Sequence, residues 1–145
     1  MALLPNGKPI DMDMLETAME DSDLANRYFL NLATGEVVFF SGYLGLSAED
    51  EQLLEKVDGS NEYIAVERIP SHEAYRWMVN FVDEVVALAD EDAAEKLSIA
   101  LDGKGAFRRF KDTLHRINDH WLQAWDQWRD KRLKAAVDEW VKNIL

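Results

Sequence analysis

The sequence predicts an α+β fold, a small three-stranded antiparallel sheet (a hairpin plus one strand) packed with about five to six helices, the C-terminal half being all helical. Three observations lead there. Alternating apolar residues are confined to the first 70 positions and are broken by a glycine turn. From Ser71 onward the apolar residues recur at helical spacing. A chain of 145 residues with 48% hydrophobic content has the length of one domain, residues 1–145, and buries roughly 70% of its unfolded surface without covalent staples.

Asp11 can cap a first helix carrying Met14, Leu15, Ala18 and Met19, which ends at the acidic residues 20–23. The period then changes. Tyr28, Leu30 and Leu32 alternate with Phe29 and Asn31, Val37 to Phe40 form a second apolar strand, and Gly35 can take the positive φ that a short turn over residues 33–36 requires, so residues 27–41 read as a β-hairpin. Ser47, with Asp50 three residues on, resembles a capping box before a helix bearing Leu53, Leu54 and Val57, which residues 58–61 stop. Residues 63–69 read as the third strand, with Ile64, Val66 and Arg68 on one face and Pro70 closing it. Ser71 is then expected to cap a long helix whose stripe is Ala74, Tyr75, Trp77, Met78, Phe81, Val82, Val85 and Val86. Residues 90–92 open another helix with Ala94, Leu97 and Leu101, and Gly103 suits its end. The next begins near Gly105 and places Phe107, Phe110, Leu114 and Ile117 on one side. The last runs from about Asp119 to near the C-terminus.

The charge is unevenly spread. The chain carries −12 overall, but residues 1–102 hold 6 cations against 22 acids and residues 103–145 hold 10 against 6. Most of the reversal lies in residues 103–116, where Lys104, Arg108, Arg109, Lys111 and Arg116 face only Asp112. Such a segment is either an anion-facing site or an internal ion-pairing surface matched to acids near Asp83, Glu84 and residues 90–95. On a helix, Lys104, Arg108, Lys111 and His115 share one flank and Arg109 and Arg116 another. With Gly105 at the helix start, where backbone amides are unpaired, the candidate ligand-binding set is Lys104, Gly105, Arg108, Arg109, Lys111 and Arg116.

The chemistry the chain lacks is equally plain. There is no cysteine, which excludes disulfides, thiolate metal sites and cysteine nucleophiles and fits a reducing cytoplasmic setting. The N-terminal segment has no basic leader with a long apolar run, and no window reaches the roughly 18 apolar residues of a membrane span, so no membrane partner is expected. Gly103-Lys104-Gly105 is not a phosphate-binding P-loop, since it lacks the longer glycine loop and the Lys-Ser/Thr pair. No nucleophile elbow, His-Glu-x-x-His or dinucleotide fingerprint occurs. Asp112, His115 and Asp119 offer a single imidazole, and Asn118-Asp119 reads as a cap between helices rather than part of a metal site. His72 and His120 sit in first helical turns without a catalytic neighbour. Trp121, Trp125 and Trp128, at intervals of four and three, form a stripe that reads as core, continued by Leu133, Val137 and Trp140. No catalytic residue, metal or cofactor is therefore expected.

The hairpin RYFLNLATGEVVFF, the passage YIAVERIPSHEAYRWM, the segment GKGAFRRFKDTL and the C-terminal WDQWRDKRL followed by AVDEWV together resemble the bacterial uncharacterised protein family of the UPF series, number 0158. GAFRRF and the Trp-Arg-Asp-x-Arg-Leu stretch are the most specific of these. The resemblance covers about Tyr28 to Val141 and implies a bacterial cytosolic protein. It transfers no mechanism. The expectation from the residues is a small interaction or regulatory module that docks an acidic protein or an anionic ligand at residues 104–116. RNA or single-stranded nucleic-acid binding through the same patch is the first alternative, and a hydrolase or transferase acting on an anionic small molecule is the second.

Overall fold

The computed structural model describes residues 2–41 and 47–145. The elements run α1 (Met12–Glu20), β1 (Arg27–Asn31), β2 (Val37–Phe40), α2 (Ala48–Asp58), β3 (Tyr63–Ala65), α3 (Ser71–Phe81), a π-helical stretch (Val82–Val86), a closing turn α4 (Ala87–Ala89), α5 (Glu91–Ala100), α6 (Ala106–Ile117) and α7 (Asp119–Ile144). They form two compact units, residues 1–69 with 133–145, and residues 70–132. The α+β class with its three antiparallel strands and helical C-terminal half is as the sequence predicts.

In the first unit the strand order is β2-β1-β3, with both neighbours antiparallel to β1. Tyr28, Phe29 and Leu30 are all buried, so the central strand shows no alternation between an inner and an outer face. Its two faces are both in use. Phe29 joins Phe40 and Val57 in a cluster flanked by Leu53 and Leu54 of α2, and α1 packs on β1 as well. Gly35, at φ +80°, closes the hairpin as expected, and a Cβ there would lie 2.1 Å from the Pro9 carbonyl oxygen. That close approach allows the Asp11 amide to donate to the Gly35 carbonyl (2.9 Å) and ties the hairpin turn to the start of α1. Asp11, Ser47 and Asp90 each cap their helices through the side chain, accepting from the amides of Met14, Asp50 and Ala93.

Two boundaries differ from expectation. The third strand ends at Ala65 rather than Ile69. After the Val66 amide donates to Tyr28, the chain leaves the sheet, and the Ile69 amide donates instead to the Met19 carbonyl at the end of α1. Ser71 is not the cap of α3. Pro70 holds that place without a side-chain bond, and its carbonyl accepts from both Glu73 and Ala74 (3.0 Å each). Proline already has the φ required just before a helix, so the hydroxyl at Ser71 falls one position inside.

In the second unit, α3 continues through the π-helical stretch into α4, keeping Trp77, Met78, Phe81, Val82 and Val86 buried. Trp125 is buried with edge-on contacts to Phe81 (5.4 Å) and Phe110 (5.1 Å), and it stacks on Trp128 (5.9 Å). The central tryptophan of the stripe is core, as its spacing predicts.

Candidate functional site

The basic segment starts where α5 ends. Ala100 and Leu101 are buried, and beyond them the chain turns through residues 102–105, with Gly105 at φ +78° directly before α6. The last carbonyls of α5 have no partners within the helix, and the negative end of its dipole gathers there. Arg109 answers both needs. Its Nε donates to the Ala100 carbonyl (3.1 Å), and its two terminal nitrogens donate to the carbonyls of Asp102, Gly103 (3.3 Å) and Lys104. Tyr75 adds its hydroxyl to the Leu101 carbonyl at 2.7 Å. A Cβ on Gly105 would lie 3.1 Å from Nη1 of Arg109, so the glycine supplies the left-handed backbone and also the room for the guanidinium.

Helix α6 buries the seam Ala106, Phe110 and Leu114. Phe107 does not join it. The residue is 46% exposed, a correction to the expected apolar side, because it lies one position off the i, i+4, i+8 seam. Phe107 therefore stands at the edge of the outward face that Arg108, Lys111 and His115 share, all of them exposed, while Lys104 is exposed in the turn before α6 and not on the helix flank expected for it. Arg116 is exposed on the other edge, the one that carries Arg109 and Thr113.

The six candidate residues thus divide by role. Gly105 and Arg109 build the turn, while Lys104, Arg108, Lys111 and Arg116 face solvent. Pairing with acids of the preceding helices does not occur among the described residues. Arg108 reaches Asp112 of its own helix at 3.9 Å, both side chains well exposed, and His115 reaches Asp119 at 2.9 Å. No group of three or more metal-ligating side chains is found among the described residues, and no helix there is long and apolar enough to cross a membrane. Trp128 is half-buried, with the Arg132 guanidinium 4.9 Å from its ring centre.

A polar network that sequence reasoning did not single out lies in the first unit. Tyr28 donates its hydroxyl to Asp21 (2.7 Å), Asn26 donates to the same carboxylate oxygen (2.9 Å), and the Asp23 amide donates to the other (2.9 Å). Half-buried Arg68 donates to the carbonyls of Asp21 (2.8 Å), Asp23 and Asn26. Burial first, and then the Asp21 carboxylate, push the Tyr28 phenol up to about 12. The same hydrogen bond, followed by the Asp23 amide, holds Asp21 below its ordinary value. The available signal was the run of acids and breakers at residues 20–23, which reads from sequence only as a helix end.

A sheet unit and a helical unit that carries a basic helix with an exposed aromatic define a fold compatible with many roles. Residues 8–144 match the uncharacterised protein family UPF0158, and the chain belongs to that family. No curated protein and no solved structure matches it.

Proposed function

We propose that this protein is an interaction module that docks an acidic segment of a partner protein on the outward face of α6. Exposed Phe107 beside Arg108 and Lys111 on the outward face of α6, with Lys104 exposed in the turn that precedes it, is the observation that carries this reading. An aromatic anchor supplies apolar area at low entropic cost, and the cations around it select the partner's charge and set its orientation. The chain's charge of −12 repels an acidic partner at long range. At physiological salt that repulsion is screened beyond about 8 Å, while contacts at the docking face are screened far less. Binding then survives moderate salt, whereas nucleic-acid binding through the same cations would weaken steeply.

Affinity purification with the wild type, Arg108→Glu/Lys111→Glu and Phe107→Ala tests the reading. Partners bearing acidic segments should be lost with both variants while the melting midpoints stay unchanged. Identical partner lists would overturn it, and recovery of nucleic acid instead of protein would replace it with the first alternative. Arg109 is left intact because it holds the turn.

A further inference from the structure

The other edge of α6 carries a second basic feature. Between α5 and α6 the surface opens into a depression of about 410 Å³ lined by Lys96, Thr113, Arg116 and Ile117. Its lining holds two cations, a hydroxyl and an apolar side chain, and no carboxylate, in a chain with 28 acids. Intrahelical partners are within sequence reach. Asp92 lies four residues before Lys96 and Asp112 four before Arg116, the spacing at which opposite charges pair on a helix. Asp112 turns to Arg108 instead, and among the described residues neither Lys96 nor Arg116 has an ion pair.

We propose that this depression binds the phosphate group of a phosphomonoester. The guanidinium of Arg116 presents a planar fork to two oxygens, the Lys96 ammonium adds a point charge, and the Thr113 hydroxyl can donate to a further oxygen. A carboxylate has two oxygens in one plane and one charge, and it would leave a donor unused. A phosphomonoester at neutral pH carries about −1.5 to −2 charges on three terminal oxygens, which matches two cations and a hydroxyl. Ile117 offers apolar contact to the carbon side of the ester. The proposal goes beyond the docking reading, because the depression lies on the other edge of α6 and shares no lining residue with the docking face.

The test is a titration of the full chain with inorganic phosphate, followed by amide NMR at about 0.1 M sodium chloride, where distant charges are largely screened. Saturable shifts are expected at Lys96, Thr113, Arg116 and Ile117, with affinity falling about tenfold or more in Lys96→Ala/Arg116→Ala. Thr113→Val, nearly isosteric, should weaken binding severalfold, and both variants should keep the wild-type spectrum elsewhere. Phe107→Ala/Lys111→Ala, which keeps the Arg108–Asp112 contact, should leave phosphate affinity within about twofold, which separates this site from the docking face. Shifts that never saturate, that chloride reproduces, or that survive in Lys96→Ala/Arg116→Ala would overturn the site. A second arm compares an acidic phosphoserine peptide with glycerol 3-phosphate. A peptide that binds tighter than glycerol 3-phosphate, and loses that gain in Phe107→Ala/Lys111→Ala, supports the site with a partner-borne phosphate, while equal affinities support it with a free small molecule.

Discussion

Arg68 and Arg109 perform the same local task in the two units, yet they are supported differently. Each guanidinium gathers the backbone carbonyls of a short connection, residues 21–26 for Arg68 and residues 100–104 for Arg109. The first connection is also held by side chains, with Asp21, Asn26 and Tyr28 joined in one network. The second relies on the backbone freedom and the empty space of Gly105. An arginine that satisfies carbonyls therefore needs no carboxylate partner. The acids nearby then remain available for solubility, and the neighbouring cations remain available for a ligand.

The largest expected effect follows from removing each arginine. Arg68 is half-buried and its carbonyl partners are partly shielded from water, so Arg68→Ala should destabilise the fold by about 3 kcal/mol, in the range for charge-assisted hydrogen bonds with a desolvated remainder. Most of the Arg109 contacts are exposed, and water can replace them, so Arg109→Ala should cost about 1.5 kcal/mol. Denaturant melts with unchanged slopes measure both. Equal losses would mean that the side-chain network around Asp21 adds nothing to the first connection.

The comparison also explains what was legible in the sequence. The caps at Asp11 and Ser47 and the turn at Gly35 are local chemistry, written within four residues of where they act, and each appears where its spacing placed it, whereas Ser71, an equally local signal, is displaced by Pro70. Arg68 reaches carbonyls 42 to 47 residues away, and a side chain bonded to distant backbone leaves no periodic mark. Its departure from the sheet is also why the third strand is shorter than its apolar run. Arg109 acts over 5 to 9 residues, and Gly105 four positions before it was the one available sign. In sequence, Arg108 and Arg109 fall on different flanks of a helix, but nothing local says which flank meets the backbone of the preceding turn. Their roles separate only once the helix phase is fixed, and the same phase moves Phe107 from the expected core to the surface.

A smaller effect should come from the network itself. Tyr28→Phe removes one hydrogen bond to an ionised carboxylate and should cost about 1 to 1.5 kcal/mol near neutral pH. The phenol's pKa is raised to about 12 in the folded chain from an ordinary 10, so folding favours its neutral form. That contribution is complete below pH 10 and is lost as pH rises toward 12. Asp21 behaves oppositely. Its lowered value stabilises the fold above pH 3.8, and this is lost as pH falls through the folded-state value below that. The stability difference between wild type and Tyr28→Phe should therefore be flat between these limits and shrink outside them. A difference that stays constant up to pH 12 would show that the phenol and carboxylate are not coupled.

The smallest expected effect sharpens the division between neighbours. Arg108 is 92% exposed in its side chain, and its sole ion pair among the described residues is a 3.9 Å contact to a partner that is itself 61% exposed. Solvent screens such a pair, and the entropy lost in holding two long side chains together offsets most of the Coulomb attraction. Arg108→Ala should therefore change stability by no more than about 0.5 kcal/mol, as most surface substitutions do. Arginine to alanine also leaves the α6 backbone with a strong helix former, which removes propensity as a confounding loss. The denaturant midpoint should stay near wild type while Arg109→Ala falls clearly below it. If Arg108→Ala is as costly as Arg109→Ala, the outward cations are holding the fold together. The docking face would then lose its basis, because a residue required for stability no longer marks a surface kept free for a partner.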